Sequence, residues 1–401
     1  MTHRERVLAS LKHQEFDRIP IDLGGMDSTG IHGIAYNKLK QYLDIKQGKT
    51  RIIDPYQQVV LVEVEVLEVV GADVVSVPFQ PKKWKPGTLS DGSSCEIPQN
   101  WNPVKLPDGS QVVYGSDNRV VARMPVGGFY FEPGEPPLAR AETVADVEKN
   151  LDYIWNFDLP DFCDMSFEEI GTYARQLCEK TDYCLMGNFA IHVFAAGQLL
   201  RGFEQFMIDL VLNPAIAECI MDNLVNAYIE RFNRYYPAIG KYTDIINVND
   251  DLGAQNGPQI SPDLYRKLVK PYQKKIYQHI KKVSGQYLFL HTDGSVYELI
   301  PDLIEIGVDI LNPVQFTCRN MELGRLKKEF GKDLTFWGGG CDTQKVLPYA
   351  TPAQVKKHVK ECLDILVPGG GFVFNQVHNI QPDVPPANIM AMYEAVHEWK
   401  G

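Results

Sequence analysis

Eight short apolar runs, each closing on a cluster of polar residues and separated from the next by helix-forming sequence, constrain this chain more than any other feature. The runs are Pro20–Gly24, Asp73–Val77, Tyr183–Asn188, Asp244–Asp250, Tyr287–His291, Ile310–Gln315, Leu334–Gly338 and Phe372–Gln376. They are mostly β-branched or aromatic and fenced by Gly, Pro or Asp, as strands buried on both faces are. Between them lie helical patterns such as 261–270 and 351–363, each opened by Ser or Thr followed by Pro, the cap and first-turn pair that starts a helix. Eight strands alternating with helices predict an α/β fold, the (β/α)8 TIM barrel; an all-helical or sandwich fold would not produce this spacing.

The 401 residues accommodate one barrel of about 250–300 residues plus embellishments. We therefore expect a single unit over 1–401, with an amphipathic N-terminal helix over 2–13 as an extension before the first strand. A β-hairpin or meander is expected as an insertion at about 84–130, where the Asp91-Gly92 and Asp108-Gly109 turns and the alternating Ser110–Tyr114 break the strand-helix rhythm. The Pro-rich, acidic and then helical stretch 131–160 is expected to wrap the exterior.

The net charge of −11 and the lack of a concentrated basic patch argue against nucleic acid as a partner. No apolar run approaches the roughly 18 residues that span a bilayer, and the N-terminus lacks the apolar core of a signal peptide, so we expect no membrane association and a cytoplasmic location. Eight cysteines with no C-x-x-C pair read as scattered reduced thiols.

In a barrel of this kind the chemistry sits at the C-terminal ends of the strands. His291 ends one run and Asp293 follows two residues later, so on an extended segment imidazole and carboxylate share a side. His378, after the last run, can supply a third ligand, and two imidazoles with a carboxylate suit zinc or a similar divalent metal with open positions for substrate. The bland alternative is an ordinary His–Asp hydrogen bond. Asp250 and Asp251 are adjacent and point opposite ways, so at most one faces the cavity as a general base or substrate ligand; the other reading is loop capping. Cys341, after the glycines 338–340, stands either as a soft ligand or reactive thiol or as a small buried hydrophobe. Asp22, Asn188, His192, Gln255, Gln315, Trp337 and Asn375 are the candidates to line the substrate site. Neither 338–342 nor 368–372 has the spacing of a nucleotide-binding glycine loop.

With these residues assembled, the chain resembles the uroporphyrinogen decarboxylase superfamily, in its branch of corrinoid-dependent methyltransferases. The resemblance is carried by Asp250–Pro258 before Ile260–Tyr265, His291-Thr-Asp-Gly294, Gly307–Pro313 and His378–Asn388. The decarboxylases grip propionates with arginines soon after the first strand; the matching stretch here, Asp22–Gly30, has none, so a polyanionic tetrapyrrole would lack its counter-charges. The methyltransferase branch implies a zinc site of His-x-Cys and a later Cys. This chain keeps His291 but has Asp293 and His378 where the cysteines would stand, a harder donor set that suits polarising an oxygen-bound methyl group.

What the resemblance implies is a methyltransferase that moves a methyl group from a small methylated donor to the cobalt of a separate corrinoid protein. His291, Asp293 and His378 would hold the metal, with Asp250 or Asp251 orienting the donor. The chain has no corrinoid-binding Asp-x-His-x-x-Gly motif, so cobalamin is expected on a partner. The superfamily is compatible with a homodimer. The rival readings are a lyase that decarboxylates a small acid with His378 as proton donor, and a non-catalytic ligand-binding barrel.

Overall fold

The computed structural model describes residues 1–157 and 162–401. Seven parallel strands form one curled sheet: Val74–Val77, Cys184–Asn188, Ile245–Asn249, Tyr287–His291, Ile310–Asn312, Thr335–Trp337 and Phe372–Val373, each hydrogen-bonded to its sequence neighbours. The sheet is closed by the first apolar run. The Asp22 N–H donates to the Phe374 carbonyl at 2.9 Å, the Phe374 N–H to the Pro20 carbonyl at 2.8 Å, and the Asp73 N–H to the Ile21 carbonyl at 2.7 Å. All eight expected runs thus lie in the barrel, with helices outside. The first is reduced to a bridge at Ile21, because Pro20 has no N–H to give a ladder and the chain turns at Gly24.

Alternation along the strands sorts side chains into two cores. Val74, Cys184, Met186, Ile245, Phe289, Ile310, Trp337 and Val373 fill the lumen. Their neighbours Leu185, Ile246, Val248, Leu290, Leu311 and Phe336 face outward into the larger core against the helices. Continuing the inward parity toward the C-terminal strand ends changes the chemistry: Ser76, Asn188, Asn249, His291, Asn312 and Asn375 follow in the same phase. The lumen is therefore apolar below and polar at its mouth.

The N-terminal helix His3–Leu11 stops the opposite end. Thr2 and Glu5 form a capping box, and Val7 and Leu11 join the lumen core. The helix is fastened through Asp73, which is fully buried and accepts from His3 Nδ1 at 2.8 Å, Arg6 at 2.7 Å, Arg18 at 2.8 Å and the Ile21 N–H at 2.9 Å. One carboxylate so ties the plug, the closing segment and the second strand together.

The expected caps are present. Ser261 Oγ accepts from Leu264 N–H at 3.2 Å, and Thr351 caps Pro352–Leu366 with Gln354 completing the box. The insertion is two small antiparallel sheets, Trp84–Thr88 with Ser94–Pro98, and four strands from Val104 to Pro133. Its turns use Gly92 and Gly109 at φ of 86° and 90°, a region side chains avoid. Trp101, Phe131 and Phe162 form its own core, with Tyr56 packed against it. In the stretch 131–160, the helices Val144–Glu148 and Leu151–Trp155 pack on the long helix Pro214–Ile239, and residues 158–160 lie outside the described residues. No helix among the described residues is long and apolar enough to cross a membrane.

Replacing Asp73 by Ala would leave the buried Arg6 guanidinium with Asp17 as its one carboxylate partner and release the closing segment. We expect a loss of about 3 kcal/mol, read as a lowered urea midpoint.

Candidate metal centre

His291 is 4% exposed and shares the inward parity of Phe289. Strand register sets it beside Asn312, and its Nδ1 lies 2.6 Å from Asn312 Oδ1. Asn312 Nδ2 donates to the Trp337 carbonyl at 2.7 Å, so the amide must turn its oxygen to the imidazole. His291 therefore carries its proton on Nδ1 and keeps the Nε2 lone pair free, the tautomer a metal ligand needs.

His378 repeats the arrangement from another segment. It stands at φ 63°, in the left-handed region, with Nδ1 3.1 Å from Asn379 Oδ1. Asn379 in turn donates from Nδ2 to Gln57 Oε1 at 2.9 Å. The two imidazole rings are 5.6 Å apart, and Asp293 stands between them: its Oδ2 is 3.9 Å from His291 Nε2 and 3.7 Å from His378 Nε2. One ligand atom from each of the three residues lies within 4.8 Å of the others. Donors around a tetrahedral zinc stand about 3.4 Å apart, so the group needs only a modest contraction to close on an ion. Two imidazole lone pairs and a carboxylate fit zinc or a similar divalent metal, and the half-exposed Asp293 and His378 leave that side open.

The loop that carries Asp293 is pinned at each residue. Asp251 Oδ1 accepts the Asp293 N–H at 2.9 Å, Gln315 Oε1 the Gly294 N–H at 2.9 Å, and Thr292 Oγ1 the Leu252 N–H at 3.0 Å. Gly294, at φ 84°, passes so close to Gly253 that a Cβ would stand 2.4 Å from its carbonyl carbon. Asp251 and Gln315 thus position the ligand loop. Gln255, exposed, accepts from the Cys318 thiol at 3.3 Å and its carbonyl from the Arg319 N–H at 3.0 Å, tying its hairpin to the loop after the sixth strand.

Several expected site residues are placed elsewhere. Asp250 is fully buried and faces away from the mouth: its oxygens accept the N–H groups of Val193, Phe194 and Ala195 at 2.8–3.1 Å and Gln273 Nε2 at 2.7 Å. Burial raises its carboxyl above the usual range and those donors oppose the rise. It anchors the helix Phe194–Arg201, with His192 beside it and the His192 backbone bonded to Tyr228. Cys341 is fully buried and outside the group of His291, Asp293 and His378, and desolvation pushes its thiol well up. Trp337 and Asp22 lie in the lumen below the mouth. The indole Nε1 donates to Asp22 Oδ2 at 2.9 Å and the Gly25 N–H to Oδ1 at 2.7 Å, while burial pushes the Asp22 carboxyl up to about 6. Asn188 and Asn375 share the inward phase above the lumen core, each with an Oδ1 that is buried and accepts nothing. Asn312 and Asn379, which fix both imidazoles, were not singled out from the sequence; the bond between His291 and Asn312 follows from strand pairing, which no local pattern displays.

The Uroporphyrinogen decarboxylase (URO-D) family profile matches residues 108–399. A uroporphyrinogen decarboxylase of Pseudomonas paraeruginosa is 25% identical over 290 residues, covering 68% of this chain and 73% of that protein. The enzyme of that description from Pseudomonas syringae pv. syringae is 26% identical over 287 residues with the same coverage. A solved methyltransferase from Methanosarcina mazei shares the fold, with a TM-score of 0.60 at 17% identity and 99% of each chain covered.

Asn312→Leu would remove the acceptor that holds the His291 tautomer. We expect zinc affinity to fall 10- to 100-fold in a chelator competition, with the ligand set unchanged. Because the folded pKa of Asp22 lies above its unfolded value of about 3.9, its contribution to stability is full below about pH 4 and is lost as pH rises to about 6. The unfolding free energy of wild type minus that of Asp22→Asn should therefore decline across that window and flatten above it.

Proposed function

From the premise that the chain belongs to the uroporphyrinogen decarboxylase family, whose profile spans more than half of it, we propose that it is a metal-dependent methyltransferase. In this reading it takes a methyl group from a small O-methylated donor and passes it to the cobalt of a corrinoid held by a separate protein. The observation that carries the reading is the convergence of His291, Asp293 and His378 with both Nε2 lone pairs kept free by Asn312 and Asn379. A divalent metal bound there would act as a Lewis acid on the oxygen that leaves when the methyl group departs.

The chain's own residues supply position and polarity. Asp251 and Gln315 hold the loop of Asp293, so the carboxylate stays between the imidazoles as substrate enters. The neutral histidines leave the ligand set with a single negative charge, which preserves more Lewis acidity than thiolates would. The apolar lumen beneath excludes water from below, and the polar mouth faces the partner that brings the acceptor.

A carboxy-lyase reading draws on the names of the relatives. It is opposed by the arginine-free stretch Asp22–Gly30, which offers a polycarboxylate no cationic partner.

Metal analysis of the purified protein and of His291→Ala tests the reading, together with consumption of cob(I)alamin by an O-methylated donor. We expect about one zinc or similar divalent ion per chain, lost in the variant along with at least about 100-fold of the methyl-transfer rate. A metal-free native protein after zinc supplementation, or a variant of undiminished rate, would overturn it.

A further inference from the structure

The tautomer of His378 rests on an acceptor that cannot orient itself. Asn312 is settled by the Trp337 carbonyl, which only accepts. Asn379, 1% exposed, instead meets the Gln57 amide at 2.9 Å, and two facing carboxamides are satisfied either way round. With its NH2 turned to His378, Asn379 would require a lone pair at Nδ1 and leave the ring proton on Nε2, the atom 3.7 Å from Asp293 Oδ2. The decision falls to Gln381. Its Nε2 lies 2.5 Å from Asn379 Oδ1 and 3.3 Å from the Asn379 backbone carbonyl. Because that carbonyl accepts and never donates, Gln381 must turn its NH2 inward. Asn379 must then show its oxygen to that NH2, and His378 Nδ1, facing the same oxygen, must be a donor.

Gln381 is held in turn by the insertion. The hydroxyl of Tyr130, 251 positions away in sequence, donates to Gln381 Oε1. His32 sets the two segments in register. Its backbone N–H donates to the Ile380 carbonyl at 2.9 Å, while its ring accepts the Ile34 N–H at Nδ1, 3.1 Å, and so donates from Nε2 to the Phe129 carbonyl at 3.2 Å. On the other side of Tyr130 the Phe131 N–H donates to the Tyr56 carbonyl at 2.8 Å. The backbone is thus tied on both sides of Tyr130, and its ring packs edge to face on His32 at 5.7 Å. A carboxamide that accepts at its oxygen donates more strongly from its nitrogen, so the phenol strengthens the Gln381 donor as well as placing it.

We propose that Gln381, held by Tyr130 of the insertion, is a positioning residue of the metal centre that fixes His378 as the Nδ1–H tautomer with Nε2 free. The proposal rests on the metal-dependent reading for the use of that lone pair, and on hydrogen bonding alone for its presence. The inserted meander then has a part in the site: segment 129–131 decides the tautomer of one imidazole, as Asn312 decides the other from within the barrel. A purely structural tie between insertion and barrel would leave the His378 tautomer indifferent to Gln381.

Nitrogen NMR of the imidazole rings in the metal-free protein reads the tautomers directly, in the native chain, Gln381→Met, Tyr130→Phe and, to assign the resonances, His378→Gln. We expect His378 to be the Nδ1–H form in the native protein and a mixture of both forms in Gln381→Met, with a smaller change of the same sign in Tyr130→Phe. His291 should stay Nδ1–H in both variants, which shows that the barrel is intact. Zinc affinity in a chelator competition should fall at least about tenfold in Gln381→Met. A native His378 protonated at Nε2, or a tautomer unchanged by Gln381→Met, would refute the proposal, and the native spectrum decides even where a variant fails to fold. The expected tautomer contrast in a native protein that binds no zinc would support the positioning role and count against the metal reading alone.

Discussion

The candidate metal centre depends on one buried run of hydrogen bonds that begins at His291 and crosses the barrel. His291 Nδ1–H donates to Asn312, Asn312 to the Trp337 carbonyl, and the Trp337 indole to Asp22. Every donor points the same way, and the series ends on a carboxylate that also takes the Gly25 N–H. In a low-dielectric interior none of these groups can be left unmade, so each fixes the next. An amide flip at Asn312 would set its NH2 against the imidazole N–H and its oxygen against a carbonyl, two repulsive contacts at once. The tautomer of His291 is thus a property of three strands and the closing segment together.

That run is possible because the lumen changes character along its length. Below, Phe289 and Trp337 meet edge to face at 5.3 Å among aliphatic side chains, and Val7 and Leu11 seal the end. Trp337 stands at the boundary, its ring in the apolar layer and its Nε1 in the polar one. Asp73 keeps the boundary in place from outside the lumen. Its contacts to Arg6, Arg18 and the Ile21 N–H hold the closing segment, and with it Asp22, at a fixed height against the second strand.

Much of the fold was legible because its signals are local. Strand runs, N-caps at Ser261 and Thr351, and the Asp-Gly turns of the insertion each depend on a few consecutive residues. The convergence of His291, Asp293 and His378 was legible too, since the spacing of His291 and Asp293 on an extended segment puts them on one side and His378 follows another strand end. What position alone does not carry is orientation. Asp250 sits at a strand end as a catalytic group would, yet it follows the inward Asn249 and so points outward to a helix N-terminus. Trp337 and Asp22 end their strands as well, but both are fully buried, with Trp337 packed in the lumen core and Asp22 bonded to its indole.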